Sequence, residues 1–104
     1  MKAYEAQITA KLNGAKHYEA VAEAMVDSWA IDQIVAGAYH DALVVVGTGT
    51  DYIINGDEDL AMKDIARAIW QANGGHCEVT VDLLCLDALP WRRYDFPLDT
   101  YKDK

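Results

Sequence analysis

With 104 residues, 52% of them hydrophobic and 25% charged, the chain has the size and composition of one globular domain, able to bury about two thirds of its unfolded surface without disulfides or a structural metal. Seventeen acidic residues against nine basic ones give a formal charge of -8, which argues against direct binding to nucleic acid or to an anionic membrane surface, since both need lysine and arginine. The charge is uneven: fourteen acids and five bases precede Arg92, whereas Arg92 to Lys104 carries four bases and three acids, so the body is the anion and the tail is not.

In chain order, Tyr4, Ala6, Ile8, Ala10 and Leu12 alternate with Glu5, Gln7, Thr9 and Lys11, the period of a strand with one buried face, and Asn13-Gly14 ends it. From Lys16 the period changes. Tyr18, Val21, Ala22, Met25 and Trp29 recur at spacings of three and four, with Glu19, Glu23 and Asp27 on the other side, which predicts an amphipathic helix. Residues 31 to 40 fit either a short strand or an irregular extension of that helix. Ala42 to Val46 and Thr50 to Ile54 are β-branched and aromatic runs around Gly47-Thr48-Gly49, a pattern that predicts a hairpin. Asp57, Glu58 and Asp59 crowd the start of a second helix, where carboxylates meet the positive end of its dipole; Ala61, Ile65, Ala68, Ile69 and Ala72 form its buried stripe, and Gly74-Gly75 stops it. A last strand runs from Cys77 to Cys85.

The order strand, helix, hairpin, helix, strand predicts an α+β domain over residues 1–88: a ferredoxin-like split βαβ (β-α-β-β-α-β), with an antiparallel sheet carrying both helices on one face. A fifth strand at residues 33 to 39 is the alternative. Residues 89–104 form an aromatic C-terminal tail in which Trp91, Arg92, Arg93, Tyr94 and Phe96 are residue types enriched at interface hot spots, while Pro90 and Pro97 disfavour a helix or a central strand. The tail packs either on its own sheet or on a partner, a second copy included. The uncovered sheet face would present Glu5, Gln7, Thr9, Lys11, Glu78, Thr80 and Asp82, joined by the apolar pair Leu84 and Leu86. A homodimer through that face is a further option.

Catalytic chemistry is thinly represented. Cys77 and Cys85 lie eight residues apart in one strand, beyond disulfide reach at about 3.3 Å per residue, and read as free thiols. His76 and Cys77 are adjacent, so in a strand they point to opposite faces, and no paired-ligand spacing suggests a metal; no cofactor is expected. The only serine, Ser28, has no identifiable base. Gly47-Thr48-Gly49-Thr50 is followed by Asp51-Tyr52-Ile53-Ile54 rather than by a lysine and a helix, unlike a phosphate loop. The opening Met1-Lys2-Ala3-Tyr4-Glu5 lacks a signal peptide's apolar run, and no 18-residue apolar stretch exists, so the expected location is cytoplasmic.

Glu19, Glu23 and Asp27 repeat about every 6 Å along the helix axis, close to the spacing of phosphates along one nucleic-acid strand. The row is either a solvated helix face or a surface that imitates a nucleic-acid backbone for a basic partner. In size, charge and this row the chain resembles small phage proteins that inhibit host defence systems, anti-CRISPR proteins among them. That resemblance implies a non-enzymatic protein-binding module contacting its target through Glu19, Glu23, Asp27, Asp57, Glu58 and Asp59. The alternative is a small ferredoxin-like dimer that binds a metabolite, or does acid-base chemistry, in a cleft between sheet and tail, using Asp82, His76 or Tyr94.

Overall fold

The computed structural model describes residues 2–53, 58–86 and 92–96. Its centre is the first strand, β1 (Lys2–Leu12), whose Tyr4, Ala6, Ile8, Ala10 and Leu12 are at most 2% exposed, while Glu5, Gln7 and Lys11 between them are open to solvent. The strand's period therefore sets one dry face and one wet face for the whole sheet. Helix α1 (Tyr18–Ser28) and helix α2 (Glu58–Asn73) cover the dry face, α1 contributing Val21 and Met25 and α2 contributing Met62, Ile65, Ala66, Ile69 and Trp70. On α2 the buried stripe thus runs through Met62, Ala66 and Trp70 and leaves Ala68 only partly covered. Gly74, at φ +77°, closes α2: its N–H donates to the Gln71 carbonyl and that of Gly75 to the Trp70 carbonyl, the paired bonds of a Schellman cap.

The remaining strands are β2 (Gln33–Tyr39), β3 (Ala42–Ile53), β4 (Glu78–Cys85) and β5 (Arg92–Phe96), in the order β2-β3-β1-β4-β5 with every neighbouring pair antiparallel. The fold is α+β, a five-stranded antiparallel sheet under two helices. It departs from the leading sequence expectation at residues 42–53 and in the tail, and takes the alternative at residues 33–39. Residues 42–53 form one strand, not a hairpin turning at Gly47-Thr48-Gly49. Residues 33–39 are a strand, and the hairpin joins them to β3 through His40 and Asp41, His40 taking the left-handed φ of 55°. The tail supplies a fifth strand, its pairing running from Leu83↔Arg92 to Val79↔Phe96.

The two glycines mark a crossing rather than a turn. After α1 the chain passes over β3, and a Cβ on Gly49 would fall on the Ala30 carbonyl oxygen, while one on Gly47 would lie 3.2 Å from the Met25 sulfur. The indole N–H of Trp29 donates to the Gly49 carbonyl at 2.9 Å, and Asp51 accepts the Ala30 N–H at 3.0 Å, so the crossing is hydrogen-bonded as well as close. Glycine inside a strand is intrinsically unfavourable and marks a place where backbone approaches backbone. No side chain fits between these two segments. Gly49→Ala is expected to destabilise the fold by at least about 3 kcal/mol in urea unfolding, whereas Gly14→Ala, whose Cβ would meet nothing within 4 Å, changes stability by less than about 0.5 kcal/mol.

Candidate functional site

Glu19, Glu23 and Asp27 all project from the outer side of α1 and are exposed, opposite the buried Val21 and Met25. None takes part in the ion pairs seen between described residues, which join Arg67 to Asp64, Arg92 to Glu58 and Arg93 to Asp82. Like charges at i, i+4 oppose the helix by a few tenths of a kcal/mol per pair, so the row is a small local burden. Each helix follows its preceding strand after a short connection and runs back against it, which brings the Asp27 end of α1 and the first turn of α2 to the same end of the helical layer. Asp59, also exposed, stands on that turn, whereas Asp57 lies outside the described residues.

Glu58 turns inward. Its Oε2 accepts the Tyr4 hydroxyl at 2.7 Å, its Oε1 accepts the Tyr94 hydroxyl at 3.0 Å, and Arg92 Nη1 reaches Oε1 at 3.4 Å. Burial first, and then the neighbouring carboxylate, hold the Tyr4 phenol protonated well above its ordinary range. Burial likewise raises Tyr94, with the Arg92 hydrogen bond opposing the shift and Glu58 adding to it. The cluster ties the start of α2 to β1 and to β5, across 54 and 36 residues of sequence.

The tail residues expected as docking contacts are largely committed to this chain. Phe96 is 6% exposed and meets Trp70 edge-to-face at 6.3 Å. Arg93 binds Asp82 at 2.7 and 3.4 Å on the opposite, helix-free face, where Thr80 also donates to Asp95 at 2.9 Å. Trp91 lies outside the described residues. The residues named for an acid-base cleft are also separated: Asp82 is on the helix-free face, Tyr94 pairs with Val81 on the helix-covered face, and His76 lies against Trp70 with ring centres 5.6 Å apart. Asp82 thus lies on the face opposite Tyr94.

Among the described residues the helix-free face carries a shallow depression of about 230 Å³ among Glu5, Gln7, Thr48, Asp82 and Leu84, and another of about 270 Å³ among Thr9, Lys11, Tyr39, Val44, Glu78 and Thr80. Leu86 stands half-exposed at the end of β4. Both cysteines are free, and burial pushes the Cys77 thiol up to about 11. Among the described residues no group of three or more His, Cys, Asp or Glu side chains is placed to hold a metal ion, and no helix is long and apolar enough to cross a membrane. No family model, curated protein or solved structure matches the chain.

Tyr4→Phe removes one of the donors to Glu58 from a buried position and is expected to cost about 1–2 kcal/mol in urea unfolding, against less than about 0.5 kcal/mol for Tyr52→Phe at an exposed position. Cys77 holds its proton in the folded state to about 11, above its ordinary 9.0, so the unfolded chain releases that proton first and stability is lost as pH rises from about 9 to 11. The urea midpoint should therefore be level from pH 7 to about 8.5 and fall above it, with a shallower initial fall in Cys77→Ala; a midpoint that rises with alkali contradicts this assignment.

Proposed function

We propose that this chain is a non-enzymatic, acidic protein-binding module of the cytoplasm that presents Glu19, Glu23 and Asp27 to the basic, nucleic-acid-binding surface of another protein, as a phage-type inhibitor of a host defence complex would. The observation that carries this reading is the geometry of α1, where three exposed carboxylates stand in one row at about 6 Å intervals, outside the ion pairs seen between described residues. Asp59 extends the acidic surface at one end. A body of net charge -9 up to Trp91 adds long-range attraction for a cationic groove and repulsion for nucleic acid itself. Within the same proposal the fold is a split βαβ unit of ferredoxin-like type. The order β2-β3-β1-β4 and the helices after β1 and after β3 support that description, with β5 added at the β4 edge.

The test is affinity capture from native lysate at about 0.1 and 0.5 M salt, since an encounter governed by charge is screened at the higher concentration. A basic nucleic-acid-binding protein is expected to be retained at low salt, released at high salt, and lost when Glu19, Glu23 and Asp27 are all changed to lysine. Retention of the same protein by the charge-reversed variant contradicts the proposal.

A further inference from the structure

The two edges of the sheet are built in opposite ways. Strand β5 carries Arg92, Arg93 and Asp95 among its five residues, the charges by which natural sheets discourage further pairing. Strand β2, Gln-Ile-Val-Ala-Gly-Ala-Tyr, has no charge and no proline in seven residues, and six of the seven are exposed. In a chain with 25% charged residues, this uncharged edge leaves, among the described residues, a row of backbone donors and acceptors open for another strand. Val35 and Tyr39 add exposed apolar side chains to it, at 52% and 59%.

We propose that β2 pairs antiparallel with β2 of a second copy, joining two five-stranded sheets into one. A continuous sheet with this symmetry needs a two-fold axis perpendicular to it, which keeps each face on its own side, so residues placed opposite one another must belong to the same face and the axis must lie midway between the two copies of one residue. Using the whole strand puts that residue at Ala36. Ile34 then faces Ala38 of the second copy, Gln33 faces Tyr39, and Val35 faces Gly37. A Cβ on Gly37 would meet nothing within 4 Å, so the isopropyl group of Val35 has room over it, twice by symmetry. Just beyond the strand, Asp32 comes opposite His40 of the second copy, a carboxylate against an imidazole, at both ends of the pairing. The dimer is independent of the acidic-row proposal, because none of Glu19, Glu23 and Asp27 lies on β2. Its salt response also has the other sign: two bodies of charge -8 repel, so added salt favours the dimer.

Sedimentation equilibrium from about 1 to 100 µM chain reads the association directly. A reversible dimer is expected, with a dissociation constant raised at least about tenfold in Val35→Lys/Gly37→Lys, which sets lysine against lysine at two symmetric places while the urea midpoint stays near that of the wild type. In addition, Ala36→Cys should be joined to its copy by a short thiol-to-thiol cross-linker, above the level of the wild type with its own two cysteines, because the two Cβ atoms at the axis lie about 4.5–5.5 Å apart, just beyond a direct disulfide, whereas Tyr52→Cys on β3 should not. A wild-type chain that is monomeric at 100 µM, a dimer indifferent to the double lysine variant, or an Ala36→Cys chain that does not cross-link would each overturn the pairing.

Discussion

The close passage of the Ala30–Ile31 backbone over Gly49 is the constraint from which the rest of the architecture follows. It lets the chain leave α1, cross β3 without a side chain between them, and return as β2 on the far side of that strand. Because β3 runs unbroken through the crossing, it holds eleven residues of register with β1 and seven with β2, and β1 becomes the buried middle of the sheet. Trp29 seals the junction: its ring is buried beneath the helix layer and its N–H satisfies the Gly49 carbonyl, so no buried polar group is stranded there.

The second organising feature is where polar groups are placed. Glu58, at the start of α2, gathers two phenols and a guanidinium from β1 and β5 and fixes the last described strand onto the sheet. The ion pairs themselves are open to solvent and screened by it; the buried phenol of Tyr4 is the stronger tie. With these acids and bases spent internally, the exposed carboxylates of Glu19, Glu23, Asp27 and Asp59 stand outside the ion pairs seen between described residues, as do those of Glu5, Asp32, Asp41 and Glu78, while strand β2 itself carries no charge. Under the two proposals, the α1 row meets a cationic partner and the β2 edge meets a second copy, on separate parts of the molecule.

Much of this was written in local patterns. The alternation in β1, the three-and-four spacing of α1 and the Gly74-Gly75 stop are properties of neighbouring residues, and the elements lie where those patterns put them. What local patterns left open has one cause, contacts that arrive from far along the chain. Gly47-Thr48-Gly49 has the composition of a turn, and only contact with Ala30 and Ile31, from the far side of β2 in sequence, reveals that the glycines clear space within a strand. The Asp57-Glu58-Asp59 group reads as a favourable dipole interaction, yet Glu58 is set apart from Asp59 by hydroxyls that arrive from Tyr4 and Tyr94. Likewise the aromatic character of the tail signalled burial, and pairing with β4 decided that Phe96 covers Trp70 in this chain's own core. The acidic row on α1 was legible because helical spacing alone fixes it.

The most direct test of the central constraint is amide hydrogen exchange at Val46, Gly47 and Thr48, resolved residue by residue by NMR. These positions lie within both ladders of β3, so their amides should be protected to nearly the same degree as that of Val45 and should exchange only with global unfolding. Rapid exchange at Gly47 and Thr48 beside a protected Val45 would mean that the chain turns there, and the continuous β3, the crossing and the free β2 edge would all have to be given up.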